Sequence, residues 1–146
     1  YFVYEGIIGF LFFNAALGIG YLASSSPGNL FHFLNKIVLL SITALTFTTG
    51  FTVKLWAAKV ASIDIYYWKE MFLGRKISQF VDTGPYKFFT NPMYGIGQLQ
   101  AYAVAIFYGS RYGLIAAFMS QCLILLFYLK VEREFINRVY KINTAK

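Results

Sequence analysis

Four apolar stretches, at residues 6–23, 37–58, 93–108 and 112–131, take up more than half of this 146-residue chain and decide where its charges can go. Hydrophobic residues make up 58% of the sequence and charged residues 13%. A soluble domain carries roughly 25% charged residues. A water-soluble globule and a disordered chain both fail on those figures. A bilayer core of ~30 Å takes about 20 helical residues, which the first, second and fourth stretches supply. The third reaches only about 24 Å at ~1.5 Å per residue, so it begins deeper in the membrane or crosses a thinned one. The expected fold is all-α: a polytopic membrane helical bundle forming a single integral domain over residues 1–146. It has about four transmembrane helices, an interfacial segment and a cytoplasmic C-terminal helix extension.

Lysine and arginine set the expected topology. With four crossings, the connection at 59–91 and the C-terminal tail fall on one side. That side holds Lys54, Lys59, Lys69, Arg75, Lys76, Lys87, Lys130, Arg133, Arg138, Lys141 and Lys146, against Lys36 and Arg111 on the other. The positive-inside rule then makes the loop, the tail and both termini cytoplasmic. Glu5, Asp64, Glu70, Asp82, Glu132 and Glu134 lie there too, so chemistry with a cytosolic reagent is expected on that face. The net charge of +7 is tied to membrane boundaries, which suits anionic lipid headgroups and not nucleic acid. One cysteine, Cys122, and one histidine, His32, leave no disulfide framework and no Cys- or His-rich metal site. Cys122 reads as a packing thiol and His32 as an interfacial residue. Residues 63–81 mix Tyr66, Tyr67 and Trp68 with Lys69, Glu70, Arg75 and Lys76, the composition of a segment at headgroup depth. The chain opens on Tyr1, Phe2, Val3 and Tyr4, already apolar, which leaves room for an earlier helix ahead of it. The first stretch lacks the basic flank of a signal peptide.

Two stretches carry candidate chemistry. Asn91 and Pro92 read as a helix start, with Asn as N-cap and Pro at the first helical position, where no N–H is missed. Free N–H groups and a positive dipole end at 91–93 would suit a carboxylate or phosphate. A helix from that point puts Tyr94, Gly97 and Gln98 on one face, with Gly97 admitting a ligand or a neighbouring helix. The same spacing equally describes a capped helix with a small-residue packing face. In the second stretch, helical phase separates two acids. Glu132 shares a face with Gln121, Leu125, Tyr128, Phe135, Ile136 and Val139, whereas Glu134 lines up with Arg138 and Lys141 on a solvated face. An inward acid at the membrane boundary needs a partner, either a ligand or a basic side chain. Gly109, Ser110 and Arg111 form a tight hairpin that makes the last two spans antiparallel neighbours. The second span, rich in Ser and Thr around Gly50, suits close helix packing or a cavity lining.

Gly84-Pro85-Tyr86, then Asn91-Pro92-Met93-Tyr94, a helical hairpin and an acidic motif about 40 residues on together resemble the membrane methyltransferases. That superfamily includes phospholipid N-methyltransferases and isoprenylcysteine carboxyl methyltransferases. The resemblance covers residues 77–140, the expected methyltransferase core. Asn-Pro-Met-Tyr looks like the phospholipid branch, while the prenylcysteine branch usually shows Arg-His-Pro-x-Tyr. The family's adjacent acidic pair is here split by Arg133 into Glu132 and Glu134, and its upstream Gly-x-Gly has only Gly50 near it. What the resemblance implies is S-adenosylmethionine bound at the cytoplasmic ends of the last two spans. Asn91, Pro92 and Met93 would face its carboxylate, Glu132 its ammonium or ribose, and Tyr86 and Tyr94 its adenine or sulfonium, with Gly97 and Gln98 beside them. Glu132 and Tyr94 are the expected catalytic residues. The implied function is methyl transfer to a membrane lipid, first of all a phospholipid headgroup amine. The alternatives are an isoprenylcysteine-type carboxyl methyltransferase, or a non-catalytic membrane subunit that keeps the scaffold among partner membrane proteins.

Overall fold

A computed structural model describes residues 1–61, 68–74 and 81–140, and among these every regular element is helical. Helix α1 spans Phe2–Ser25 and α2 spans Lys36–Ala61. A short helix, α3, covers Lys69–Leu73. Then come α4, Leu99–Phe107, and α5, Arg111–Phe127, which runs through a π-helical turn at Tyr128–Glu132 into α6, Arg133–Tyr140. Three helical runs are long and apolar enough to cross a bilayer: Phe2–Ser25, Lys36–Ala61 and the continuous Arg111–Tyr140 of 30 residues. Their outward faces are apolar, with Phe13, Leu45 and Leu123 all exposed. This pattern belongs to a chain whose solvent is lipid. The protein is an integral membrane protein.

The third stretch departs from expectation. No α-helix starts at Asn91. Residues 92–95 form turns, a 3₁₀ turn follows at Ile96–Gln98, and the α-helix begins only at Leu99. The apolar run Ile96–Phe107 is about 18 Å long at ~1.5 Å per residue, shorter than the three long helices. Pro92 and two glycines explain the delay. Gly95 takes a backbone of φ −82°, ψ −103° that no α-helix contains, and glycine's propensity for the helix is low. The fold therefore has three long apolar helices and a shorter piece that runs from the 91–95 turn to the hairpin at Gly109.

The far end of the bundle is closed by two loops clasped together. Gly109 sits at φ 58°, a left-handed conformation that glycine enters without strain. The Gly28 N–H donates to the Tyr108 carbonyl at 3.0 Å, and the Ser26 and Ser110 hydroxyls pair at 2.9 Å. Ser110 caps α5, its hydroxyl accepting from the Gly113 N–H at 3.1 Å. This is the expected hairpin, and it sets α4 beside α5. Helix α2 packs closely on α4 because Gly50 has no side chain: a Cβ there would stand 2.4 Å from the Gln100 nitrogen.

At the other end, α3 ties the chain together. The Tyr4 and Phe72 rings stack at 4.5 Å, Lys69 Nζ lies 5.1 Å over the Tyr1 ring, and the Tyr140 hydroxyl donates to Glu70. The start of α1, residues 68–74 and α6 thus share one end. Of the segment expected at the interface, Tyr66, Tyr67, Arg75 and Lys76 lie outside the described residues, as do Lys141 and Lys146.

Candidate functional site

Turn 91–95 is built by its own backbone. The Asn91 side-chain oxygen accepts from the Tyr94 N–H at 3.2 Å and the Asn91 carbonyl accepts from the Gly95 N–H at 3.0 Å. Asn91 therefore caps as its residue type suggests, but it caps a turn. Pro92 is fully buried, and its carbonyl accepts from the Gly97 N–H at 2.8 Å. Non-helical backbone within an apolar bundle is tolerated only where its polar groups find partners inside the protein. Gln121 of α5 supplies them. Its Nε2 donates to the carbonyls of Tyr94, at 3.1 Å, and Gly95, at 3.2 Å, while its Oε1 accepts from the Tyr102 hydroxyl at 2.6 Å.

With the turn fixed, the Tyr94 hydroxyl reaches Glu132 and donates to its Oε2 at 3.0 Å. The Trp68 indole N–H joins them, 3.1 Å from the same Oε2 and 3.0 Å from the Tyr94 oxygen. Trp68 is buried, not displayed at headgroup depth as its neighbours' composition suggests. Its ring packs between Phe12 of α1, at 5.6 Å, and Phe127 of α5, at 4.7 Å. It also holds a left-handed backbone, φ 54°, a conformation that costs a non-glycine residue ~1–3 kcal/mol and persists only where its surroundings over-determine it. The Glu70–Tyr140 bond, two residues on, is part of that surrounding.

Glu132 ends the π-helical turn. Such a turn inserts an extra residue into the helical repeat and is frequent at functional sites. The buried Tyr128 and Phe135 flank it, and the Tyr94 and Tyr128 rings meet edge to face at 6.3 Å. Both hydrogen bonds to the carboxylate land on Oε2. Among the described residues Oε1 receives none. Two donors thus orient the acid through one oxygen, and the other takes no hydrogen bond from the described residues.

The remaining candidates divide. Met93 is buried against Ala57 and Ala61 of α2, and Tyr86 and Tyr94 pack on that cluster. Burial, and after it the charge of Glu132, raise the Tyr86 phenol above its ordinary value of 10.0, so it stays neutral at physiological pH. Gly97 does not share a helical face with Tyr94, because no helix runs between them. A Cβ on Gly97 would lie 3.3 Å from the Lys54 Cβ, so the close approach there is that of helix α2. Gln98 closes the 3₁₀ turn, its N–H donating to the Gly95 carbonyl at 3.1 Å. Glu134 is exposed. Trp68 and the bracing role of Gln121 carry no spacing signal in the sequence; both depend on how distant elements meet.

The model of a protein family described as phospholipid methyltransferase matches residues 38–143, a stretch that holds Trp68, Tyr94, Gln121 and Glu132. Neither the curated proteins nor the solved structures give a match.

Proposed function

The chain belongs to the phospholipid methyltransferase family, and from that premise we propose that it transfers a methyl group from S-adenosylmethionine to the headgroup amine of a membrane phospholipid at the cytoplasmic face. The observation that carries the reading is the Glu132 carboxylate, anchored through Oε2 by Tyr94 and Trp68, with Oε1 free of hydrogen bonds among the described residues. The eleven-to-two division of basic residues supports the cytoplasmic assignment.

The residues present suit the donor. S-adenosylmethionine, when bound, supplies an electrophilic methyl on a sulfonium centre. Glu132 Oε1 offers an acceptor for an ammonium or a ribose hydroxyl, and the rings of Tyr94 and Tyr86 offer faces that attract a sulfonium by ~0.5–2 kcal/mol. An amine attacks only after losing its proton, and Glu132 is the acceptor in this reading. Tyr94 and Trp68 keep the carboxylate in one rotamer, so the acid meets its ligand without a further loss of side-chain freedom. Phe12 and Phe127 pack on Trp68, and Met93 on α2, so the donors to the carboxylate stand in apolar surroundings. The phospholipid reading is also favoured over the prenylcysteine one by Asn91 where that branch usually carries histidine.

The test is methyl transfer by the purified chain in phosphatidylethanolamine vesicles with methyl-labelled S-adenosylmethionine. The reading expects label in mono-, di- or trimethylated headgroups. Label confined to a prenylcysteine ester, or no transfer by folded chain that still binds the donor, rejects it.

A further inference from the structure

Lys54 is a cation that the site as described leaves unused. It lies seven residues before the end of α2, roughly 10 Å along the helix at ~1.5 Å per residue. It falls on one helical face with Gly50, Ala57 and Ala61, at spacings of four, three and four. Those three are buried, and they are what lets α2 close on its neighbour. Lys54 itself is half-buried, and its Cβ abuts Gly97 in the 3₁₀ turn that follows the site turn. A long ammonium thus occupies a stripe otherwise kept for the smallest side chains.

Among the described residues Lys54 makes no hydrogen bond and no ion pair. An ionised side chain at membrane depth is expensive without a partner and marks a ligand path by default. Snorkelling to the nearer interface runs against the geometry: in a helix the Cα–Cβ bond tilts toward the N-terminus, here away from Ala61. Tyr94 of the same 91–97 segment holds Glu132, whose Oε1 takes no hydrogen bond from the described residues. A cation with no partner among the described residues and an acid with one oxygen free of them, joined through one short segment, suit a zwitterion, whose cationic and anionic groups are a few bonds apart.

The geometry points to Lys54 as the residue that holds the anionic group of a zwitterionic ligand whose cationic end meets Glu132. This rests on the methyltransferase reading. The anion is an oxyanion from one of two sources, the α-carboxylate of the methyl donor or the phosphodiester of the lipid.

The experiment uses the full chain in detergent and in vesicles, wild type beside Lys54→Met and Lys54→Arg. The readouts are binding of labelled S-adenosylmethionine, its displacement by S-adenosylhomocysteine or by 5′-methylthioadenosine (which lacks the amino-acid group), and the KM for phosphatidylethanolamine. If the donor's carboxylate is the anion, the wild type prefers S-adenosylhomocysteine by about tenfold or more, and Lys54→Met erases that preference while Lys54→Arg keeps it. If the lipid phosphodiester is the anion, donor binding is unchanged in Lys54→Met and the lipid KM rises about tenfold. In both cases the ligand-free Met variant unfolds at the wild-type temperature or above, since a costly charge has been removed. A Met variant with unchanged donor preference and lipid KM, or one that is less stable without ligand, overturns the assignment. A wild type that binds no donor sinks the methyltransferase reading itself, and this assignment with it, before any variant is compared.

Discussion

Glu132 has two donors on one oxygen, and each can be removed without disturbing the apolar packing around it. Tyr94→Phe deletes a hydroxyl, and Trp68→Phe deletes an indole N–H while leaving a ring between Phe12 and Phe127. A hydrogen bond to a charged group is worth ~1.5–3 kcal/mol. Each variant is therefore expected to lose about tenfold to a hundredfold in kcat/KM for lipid methylation, and the double variant less than the product of the two, because both act through the same carboxylate. Full additivity would show that the two donors do not share a task. Tyr86 gives a pH prediction. Its phenol is raised in the folded state by burial and then by Glu132, so below pH 10 it is protonated folded and unfolded alike and contributes no slope. Above its ordinary value of 10.0 the unfolded chain releases the proton that the folded chain retains, and stability falls as pH rises. Thermal unfolding in detergent should show this decline above about pH 10 in the wild type, and a shallower one in Tyr86→Phe.

The helices themselves depend on two kinds of contact, close approach and internal satisfaction of irregular backbone. Gly50→Val forces a side chain into the Gln100 backbone, and overpacking of that kind costs typically ~1–3 kcal/mol. Gln121→Leu strands the Tyr94 and Gly95 carbonyls in apolar surroundings, a loss of ~1–3 kcal/mol that should lower both the unfolding temperature and donor binding. Chain-melting curves in detergent measure both. The long helices were legible in the sequence because membrane depth demands an apolar run of fixed length, and Phe2–Ser25 and Lys36–Ala61 show it without ambiguity. The hairpin at Gly109 and Ser110 was legible through turn chemistry. The start of the third stretch was not: the local cap signal of Asn91 and Pro92 is real, but Gly95 and Gly97 undo the helix within one turn. The π-helical turn that places Glu132 has no period-based signature, and Trp68 looks like an interfacial aromatic until a helix from each side of it is in place.

The described residues gather the helices at two ends. Tyr1, Tyr4, Phe72, Glu70 and Tyr140 gather the first helix, residues 68–74 and the last helix at one end, where the Glu132 cluster also lies. The Gly28 and Gly109 loops close the other. The orientation predicted for these ends can be read by cysteine labelling in a Cys122→Ser background: an impermeant thiol reagent should reach Lys87→Cys from the cytoplasmic side and His32→Cys from the opposite one. Labelling of both from one side would contradict the topology. The family match covers the chain from α2 onward and leaves all of α1 outside, yet Phe12 of α1 packs on Trp68, so the site draws on more of the bundle than the matched stretch. Everything at this scale returns to the anchored acid. Its most direct test is the equilibrium binding of labelled S-adenosylmethionine to folded wild type and folded Glu132→Gln. Saturable binding by the wild type and a loss of about a hundredfold in the variant are expected. Equal affinity in the two, with matching unfolding temperatures, would contradict it.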